Sequence, residues 1–398
     1  MSIRDRPPIN AADVSMRIVV LGLGRYSGAG TISLHLTKEL SQRAEILAVI
    51  SNEALNREDW EAASIQASFE LETKRTYDSM REALAQTLVP IRIGAIVREI
   101  RRFGPDAVLV PMTHLWIYPI MRMLSKPSWV VVIHDPYPHP GAAARLANIM
   151  DRAVARKADR VVTHSRKFID VVSDSFHIPR NRITSIPLGP LSNEARTSTG
   201  SQQQDESAPQ DNPPEAFVVL CFGRIETYKG IDILLRAAPL IMASRPDITI
   251  RIVGRGMDAA TRAEAEKCSN VQVDSRWIDD SEISSIFNAV DLVVLPYTSA
   301  TQSGVIPQSA TFSLPVIATD VGGLSEQLDD GRCGVLIAPN NPQALAEAVI
   351  RIANDREEAV RLGRALHLEY SQNRSWSAIA DRFIDVIANA ISDPQPKN

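Results

Sequence analysis

Short apolar runs rich in β-branched residues alternate with stretches of helical periodicity, and this pattern occurs twice along the chain. In the first half, the candidate strands are residues 16–23, 45–50, 107–110, 129–134 and 160–163. In the second half, they are residues 216–222, 249–253, 271–273, 291–295, 316–318 and 334–337. Strands that alternate with helices form parallel sheets covered on both faces. The sequence therefore predicts an α/β fold of two doubly wound, Rossmann-like domains.

Helices are predicted between and after these strands. The predicted helical stretches are 30–40, where apolar residues recur at helical spacing, the long polar stretch 56–87, and then 91–103, 342–368 and 376–391. In open parallel sheets, ligands bind at the carboxyl ends of the strands, where the strand order reverses. We therefore expect the functional side chains on loops that follow strands, and the two domains are predicted to face each other across a cleft.

A polar stretch separates the two halves. Residues 192–214 contain only alanines among their apolar residues, which is the composition of a flexible linker. This boundary predicts an N-terminal domain at 1–191 and a C-terminal domain at 215–372. A terminal helical segment at 373–398 is expected to pack back towards the N-terminal domain.

The net charge of the 398-residue chain limits the partners that it can bind. Its 43 basic and 47 acidic side chains give a formal charge of −4. Dedicated nucleic-acid binders carry a strong basic excess, so we expect no nucleic acid among the partners. Cys221, Cys268 and Cys333 are too widely spaced for a zinc motif, and we expect them to be reduced thiols.

The hydrophobic pattern predicts neither a signal peptide nor a membrane-spanning helix. The first ten residues are charged and contain Pro7 and Pro8, and no apolar run approaches the ~20 residues that cross a bilayer. We therefore expect a cytoplasmic location. Residues 91–103 carry four arginines and one glutamate, which leaves open either a solvated face or a peripheral contact with anionic lipid.

A glycine-rich segment follows the first predicted strand. After residues 22–24, Gly28, Ala29 and Gly30 open the next helix. A dinucleotide fingerprint has this context, but Ser27 stands where its third glycine belongs. The segment leaves three alternatives open: a turn that binds a phosphate or substrate, a flexible connection, and an NAD site.

A second turn, residues 222–230, combines glycine with two cations. Gly223 permits a tight turn, and Arg224 and Lys229 flank a loop that opens onto a predicted helix. Two cations beside the free N–H groups of a helix N-terminus form an anion site. The alternative is that both cations are solvated loop residues.

A third turn follows the strand predicted at 291–295. Ser303 is expected to cap a helix, and Gly304 lets a phosphate approach the backbone amides of the first turn, including that of Val305. Pro307 suits an early helical position because its missing N–H has no partner to lose there. A capped helix without a ligand is the alternative.

His134 and Asp135 stand at the end of a predicted strand, with His139 close behind them. A metal site is the obvious alternative for two histidines and an aspartate, but the prolines between them are stiff and no further ligand cluster is present. We therefore expect no metal. The sequence also lacks an Asp-x-Asp motif, a phosphate-binding P-loop and a G-x-S-x-G elbow.

In their combination and order, these segments resemble glycosyltransferase family 4, whose members are retaining enzymes with the GT-B fold. Gly223 and Arg224, followed by Lys229, match the family's phosphate loop. Residues 253–256 resemble its V-G-x-G turn near the nucleotide, and residues 303–323 resemble the helix, strand and glycine turn around the sugar donor. In the first half, the glycine loop resembles the one near the acceptor, and the histidine segment resembles the one facing the donor sugar.

The resemblance implies a retaining transfer from a nucleotide-diphosphate sugar to the hydroxyl of a sugar, lipid-linked or small-molecule acceptor. No cofactor is expected, and because the sequence lacks an Asp-x-Asp motif we expect the transfer to be independent of metal ions. Its context would be polysaccharide, glycolipid or glycoconjugate biosynthesis. The catalytic residues it implies are His134, Arg224 and Lys229. The residues expected at the donor phosphates are Arg224, Lys229, Ser303, Gly304 and Val305. Those expected at the nucleotide are Gly223, Gly254, Trp277 and Gln308, and the acceptor-side loop is Gly28, Ala29 and Gly30.

The sequence departs from the family pattern at two positions. Many members carry two glutamates eight positions apart around the donor helix, where this chain has Ala300 and Gln308. Gln308 can still hydrogen-bond a ribose, but Ala300 cannot replace a carboxylate. Two alternatives to a transferase therefore stay open: a catalytically silent partner protein, and a nucleotide-sugar epimerase of the same architecture.

Overall fold

The computed structural model describes residues 16–25, 27–77, 82, 91–137, 142–190 and 217–395, with side chains at 27–29, 142–146 and 280 left out. The chain forms two compact units. Met1–Ile186 and Trp376–Asn398 make up the first, and Pro187–Ser375 makes up the second. The linker expected at 192–214 lies outside the described residues. None of the helices in the described part of the chain is both long and apolar enough to cross a membrane.

The described part of the first unit contains a seven-stranded parallel sheet in the order β3-β2-β1-β4-β5-β6-β7. Its strands are β1 (Arg17–Gly22), β2 (Glu45–Ser51), β3 (Glu70–Lys74), β4 (Ala107–Val110), β5 (Ser128–Ile133), β6 (Arg160–Thr163) and β7 (Ile183–Ser185). Its first helices are α1 (Ser27–Leu40), α2 (Arg57–Gln66), α3 (Ile91–Phe103), α4 (Ile117–Met123), α5 (Ala142–Lys157) and α6 (Lys167–Phe176).

The described part of the second unit contains a six-stranded parallel sheet in the order β10-β9-β8-β11-β12-β13. Its strands are β8 (Val218–Phe222), β9 (Thr249–Val253), β10 (Val271–Asp274), β11 (Leu292–Leu295), β12 (Val316–Thr319) and β13 (Val335–Ile337). Its helices are α7 (Ile231–Ser244), α8 (Ala259–Glu266), α9 (Asp280–Asn288), α10 (Val305–Thr311), α11 (Leu324–Gln327), α12 (Pro342–Asn354) and α13 (Arg356–Leu368). The chain then returns to the first unit in α14 (Trp376–Ser392).

Successive residues of a strand point to opposite faces of the sheet. Helices cover both faces of each sheet in this protein, so both sets of side chains are buried. In the first unit, Val19 and Leu21 join the core under α3–α6, whereas Ile18 and Val20 join the core under α1, α2 and α14. The second unit repeats this arrangement, with α7 and α12 on one face, α9 and α10 on the other, and α13 contributing to both cores. Each fully buried aliphatic side chain contributes about 1.5–3 kcal/mol. The predicted α/β class with two parallel sheets is confirmed.

The last helix is an integral part of the first unit. Its apolar face, which includes Phe383, is buried in the core under α1 and α2. Arg43 Nε lies 2.6 Å from Asp381 Oδ1, and Ser128 Oγ donates a hydrogen bond of 3.0 Å to the carbonyl oxygen of Ala390. The first unit is therefore built from both ends of the chain.

Two helical predictions are wrong in part. Residues 56–87 were expected to be helical, but the structure has α2 followed by the edge strand β3. The strand was missed because Leu71 is the only apolar residue in β3. The single helical stretch expected at 342–368 is two helices, α12 and α13. The break falls at Asp355, whose carboxylate accepts a hydrogen bond from the Glu358 amide and caps α13.

Candidate functional site

The strand order of the second sheet reverses between β8 and β11, which are neighbours in space. Loops leave the carboxyl ends of these strands at residues 223–230 and 296–304. A crevice outside such a switch point is where open parallel sheets bind ligands. These two loops contain most of the residues that the sequence predicts for the sugar donor.

The loop after β8 is held by backbone contacts to both neighbouring loops. The Gly223 amide donates a hydrogen bond of 2.9 Å to the Val253 carbonyl at the end of β9. Gly230 has a φ of +66°, and a Cβ there would lie 1.9 Å from the Pro296 carbonyl oxygen. Because no other residue fits this approach, Gly230 fixes the start of α7 against the loop after β11.

Lys229 is the central cation of this edge. Its Nζ donates a 2.5 Å hydrogen bond to Tyr297 Oη and lies 4.1 Å from the centroid of that ring. Burial lowers the pKa of Lys229, and the Arg224 charge lowers it further, although Cys221 and Glu226 act in the opposite direction. The ammonium is therefore partly desolvated and bound to a neutral phenol.

Ser303 connects the lysine to the start of α10. The hydroxyls of Tyr297 and Ser303 lie 3.2 Å apart, and the Val305 amide donates a 3.2 Å hydrogen bond to Ser303 Oγ. Gln327 Oε1 accepts from the Ser303 amide at 2.8 Å, and its Nε2 donates to the Ser303 carbonyl at 2.9 Å. The predicted cap is displaced by one residue: Gly304 is the N-cap, and Ser303 precedes it. The chain bends before the helix, so the serine hydroxyl still meets the first helical amide.

Gly254 brings the loop after β9 against the loop after β8. Its φ is +140°, and a Cβ there would lie 2.0 Å from the Gly223 carbonyl oxygen. The next residue, Arg255, places its guanidinium carbon 4.6 Å from the ring centroid of Trp277, whose side chain is 64% exposed. An exposed aromatic ring beside a cation is a surface on which a planar ligand can stack.

Of the residues predicted for the sugar donor, the structure brings some close together and leaves others apart from them. A Cβ on Gly223 would lie 3.9 Å from Lys229 Nζ and 4.0 Å from Val305 Cγ2, so these three residues surround one point. Arg224 is exposed and its Nε lies 3.0 Å from Glu226 Oε1. Gln308 lies on α10, half-buried, and its side chain hydrogen-bonds to none of the described residues.

In the first unit, His134 follows β5 and His164 follows β6, with ring centroids 4.6 Å apart. His134 Nε2 lies 2.7 Å from the Pro111 carbonyl oxygen. A carbonyl only accepts, so Nε2 carries the proton and Nδ1 keeps its lone pair. Burial lowers the pKa of both rings, that of His164 to about 3. The two histidines are therefore neutral at pH 7.

The acceptor-side loop is only partly described. Gly28 and Ala29 lie in the first turn of α1, but their surroundings are outside the described side chains. Gly30 packs against Asn56, whose Oδ1 would lie 2.5 Å from a Cβ at position 30. The amide of Asn56 is buried, and neither of its polar atoms has a hydrogen-bond partner among the described residues.

The sequence did not single out Tyr297 or Gln327, and it included Arg255 only as part of the turn at 253–256. Tyr297 lies two residues after the end of β11, which is a signal that could have marked it. Gln327 carries no such signal, because its contact with Ser303 spans 24 residues. Within the described ranges, no three His, Cys, Asp or Glu side chains are grouped as ligands for a metal ion.

Comparison with known protein families matches both units of the chain. Residues 26–189 match the model described as Glycosyltransferase Family 4, and residues 216–355 match the model described as Glycosyl transferases group 1. Together these segments cover most of the chain.

Relatives with an assigned activity are distant. The chain is 21% identical over 345 residues to a D-inositol 3-phosphate glycosyltransferase of Corynebacterium urealyticum, covering 80% of each chain. It is 26% identical over 339 residues to a glycogen synthase of Mycobacterium tuberculosis, covering 80% of this chain and 79% of that one.

Among solved structures, Alr3699/HepE of Anabaena in complex with UDP superposes with a TM-score of 0.69 at 16% identity, over 94% of this chain and 100% of that one. The same protein with UDP-glucose gives a TM-score of 0.66 at 17% identity, with the same coverage. The likeness shows that the fold is shared. With both family models matched and both parallel sheets present, the chain belongs to glycosyltransferase family 4 and is a glycosyltransferase of the GT-B type.

Proposed function

We propose that this protein is a retaining glycosyltransferase that uses a nucleotide-diphosphate sugar and a hydroxyl acceptor. The observation that carries the proposal is the convergence of Gly223, Lys229 and Val305 at the switch point of the second sheet. An ammonium group and closely approaching backbone form a site for a diphosphate. Because Alr3699/HepE was solved with UDP and UDP-glucose, a uridine nucleotide is the first candidate for the leaving group.

In the proposed reaction, the bond from the anomeric carbon to the diphosphate oxygen breaks. A bond to the acceptor oxygen forms on the same face of the sugar, and the hydroxyl proton passes to the leaving diphosphate. Lys229 offsets the negative charge that develops on this group. A preorganised group of this kind is worth roughly 3 kcal/mol in the barrier. Arg224 adds a second charge once the diphosphate replaces Glu226 as its partner.

The role of His134 is to orient the transferred sugar, as the family resemblance implies. The neutral ring and the free lone pair at Nδ1 support this role, because Nδ1 can accept a hydrogen bond from a sugar hydroxyl. The glycine loop at residues 28–30 is assigned to the acceptor on the same resemblance. The acceptor itself is a sugar, a lipid-linked group or a small molecule of polysaccharide, glycolipid or glycoconjugate biosynthesis.

The transfer is proposed to be independent of metal ions and of any bound cofactor. Support comes from the protein's own cations, Lys229 and Arg224, which supply the charge that a divalent ion would otherwise bring to a diphosphate. The sequence also lacks the Asp-x-Asp motif that holds such an ion. Activity that EDTA abolishes and that magnesium or manganese restores would contradict this part of the proposal.

The sugar preference is proposed to differ from that of members with two glutamates. Ala300 is half-buried, and a Cβ on Gly322 would lie 1.6 Å from its carbonyl oxygen, so backbone closes one side of this position. Gln308 and Trp277 are assigned to the nucleotide. Gln308 can bind a ribose hydroxyl, because its amide is uncommitted within the described part of the chain.

The experiment that tests the proposal is incubation of the purified protein with a panel of nucleotide sugars. Slow hydrolysis of one sugar donor, with a product of retained configuration by NMR, supports a retaining transferase. An isomerised sugar identifies the epimerase alternative. If nucleotides bind but nothing turns over with any donor and acceptor pair, the protein is a silent partner. Thermal-shift screening finds the nucleotide first, since a hundredfold excess over Kd stabilises by about 2.7 kcal/mol.

A further inference from the structure

A cavity of about 760 Å³ lies at the amino edge of the sheet in the first unit, between α4 and α5. It is opposite to the edge that carries His134. Trp129, near the start of β5, and Arg182, just before β7, both line it. The six residues of β5 span about 20 Å at 3.3 Å per residue, so this cavity is separate from the candidate active site.

Four cations from three segments line this cavity: Arg122 of α4, Arg156 and Lys157 of α5, and Arg182 before β7. Among the described residues that line it, there is no aspartate or glutamate. A basic residue in the last turn of a helix complements the helix dipole, which accounts for Arg122 in α4 and for Arg156 and Lys157 in α5. It does not account for the meeting of these three cations with Arg182 around one cavity.

The partners of these cations are also unusual. Many arginines of the described chain pair with a carboxylate, as Arg245 does with Asp247 at 2.6 Å. Arg122 and Lys157, by contrast, have no ion-pair or hydrogen-bond partner among the described residues. Arg156 and Arg182 donate to backbone carbonyls only: Arg156 Nε to Phe176 at 2.7 Å, and Arg182 Nη2 to Arg156 at 3.0 Å and to Ala158.

Asp159 is a carboxylate near the cavity, and both of its oxygens already accept hydrogen bonds. Asp159 Oδ2 accepts from the Trp129 amide at 2.7 Å, and Oδ1 accepts from the Gln395 amide at 2.8 Å. Its charge acts on Arg182, whose pKa is nonetheless lowered because the guanidinium is desolvated. Arg182 Nε is buried without a partner among the described residues. Asp159 therefore offsets at most one of the four positive charges.

The rest of the lining fixes the kind of ligand. Tyr118, Met121 and Leu124 give the cavity an apolar wall on the α4 side, and its volume is within the range of small-molecule sites. A single chloride would leave most of the charge unmatched. We propose that this cavity binds a soluble small molecule carrying two or more phosphate groups, at a site distinct from that of the sugar donor. The proposal does not depend on the function proposed above.

The test uses inorganic pyrophosphate as the probe and the full chain. In calorimetry with UDP present at saturation, pyrophosphate is expected to bind with one equivalent per chain. The double variant Arg122→Gln/Lys157→Gln should weaken this binding by ten- to a hundredfold, because two charge-assisted contacts are lost. Both side chains lack partners within the described chain, so the variant should fold. Lys157→Arg, which keeps the charge, should bind as the wild type does.

Two controls separate binding in this cavity from diffuse charge attraction and from binding at the sugar-donor site. The variant Arg98→Gln/Arg166→Gln removes two exposed cations from the same unit but outside the cavity, and it should leave pyrophosphate binding unchanged. Lys229→Met, which alters the sugar-donor site, should also leave unchanged the pyrophosphate binding that is measured in the presence of UDP. Acetylation followed by mass spectrometry locates the ligand: pyrophosphate should protect Lys157 and leave the exposed Lys167 reactive.

Three results would overturn the proposal. The first is pyrophosphate binding that UDP competes away completely. The second is equal weakening by the cavity variant and by its charge-matched control, which would show diffuse electrostatic attraction. The third is protection of Lys157 by vesicles of phosphatidylglycerol, but not of phosphatidylcholine, without protection by pyrophosphate. The phosphates would then be those of a lipid surface.

Discussion

The carboxyl edges of the two sheets share one topology but offer opposite chemistry. In the second unit, the switch point presents an ammonium group, that of Lys229, bound to the neutral phenol of Tyr297. In the first unit, the corresponding edge presents His134 and His164, whose pKa values are lowered by burial. In the proposed function, the first of these edges binds a diphosphate, and His134 at the other binds an uncharged sugar hydroxyl. Each prediction below tests one side of this contrast.

The largest effect is expected for Lys229→Met, which removes the central cation of the second unit. The value of kcat/KM for the sugar donor should fall about 100- to 1,000-fold, or about 2.7–4 kcal/mol, because the leaving diphosphate loses a preorganised charge. Steady-state kinetics measures the change. Lys267→Met is the matched control, since Lys267 is exposed and paired with Glu264 at 2.6 Å. If a folded Lys229→Met protein turned over at the wild-type rate, the reaction would not depend on this cation. The contrast in charge between the edges of the two sheets would then have no role in the reaction.

The next effect concerns stability in the first unit. The pKa of His164 is about 3 in the folded protein and 6.5 in the unfolded chain, so the unfolded state takes up the proton first as the pH falls. The contribution of the neutral His164 ring to the free energy of unfolding is fully present above pH 6.5 and is lost as the pH falls. Between pH 7 and pH 5, His164 should lower the free energy of unfolding by about 2 kcal/mol. Urea titrations at both pH values measure it.

His164→Gln isolates this contribution, because glutamine does not titrate. The variant should lose about 2 kcal/mol less than the wild type between the two pH values. His177→Asn is the control: His177 is exposed, and asparagine tolerates its left-handed φ of 54°. An identical pH dependence in wild type and His164→Gln would mean that the ring is solvated, and the first unit would lose its neutral edge.

A smaller effect is expected for Tyr297→Phe, which removes the hydrogen-bond acceptor of the Lys229 ammonium. Binding of a nucleoside diphosphate should weaken by about 1–2 kcal/mol. The phenol oxygen stabilises the charged form, so its loss lowers the already depressed pKa of Lys229 further. The loss of affinity at alkaline pH should therefore begin at a lower pH than in the wild type. A purely structural role would weaken binding equally at every pH, and calorimetry across pH 6–9 distinguishes the two.

These residues also show what sequence could and could not predict. Most strands of both units were predicted because buried parallel strands are continuous runs rich in β-branched residues, whereas the polar edge strand β3 was missed. The glycine loops were predicted because the conformation of a turn depends on residues that are adjacent in the sequence. The contact between Lys229 and Tyr297 joins residues 68 positions apart, so no local pattern contains it. The pairing of His134 with His164 likewise depends on adjacent strands, and the cations around the cavity come from three segments.

The smallest effect contrasts one glycine of each unit. Gly94 lies within α3, and a Cβ there would meet nothing within 4 Å, whereas a Cβ on Gly254 would lie 2.0 Å from the Gly223 carbonyl oxygen. Gly94→Ala should raise the free energy of unfolding by about 0.5–1 kcal/mol, because alanine loses less backbone entropy in a helix. Gly254→Ala should lower it and weaken nucleotide binding, because the phosphate loop must move. Urea denaturation of both variants measures the signs. Destabilisation by Gly94→Ala would show that α3 requires this glycine, whereas a neutral Gly254→Ala would show that the loops of the second unit yield without cost.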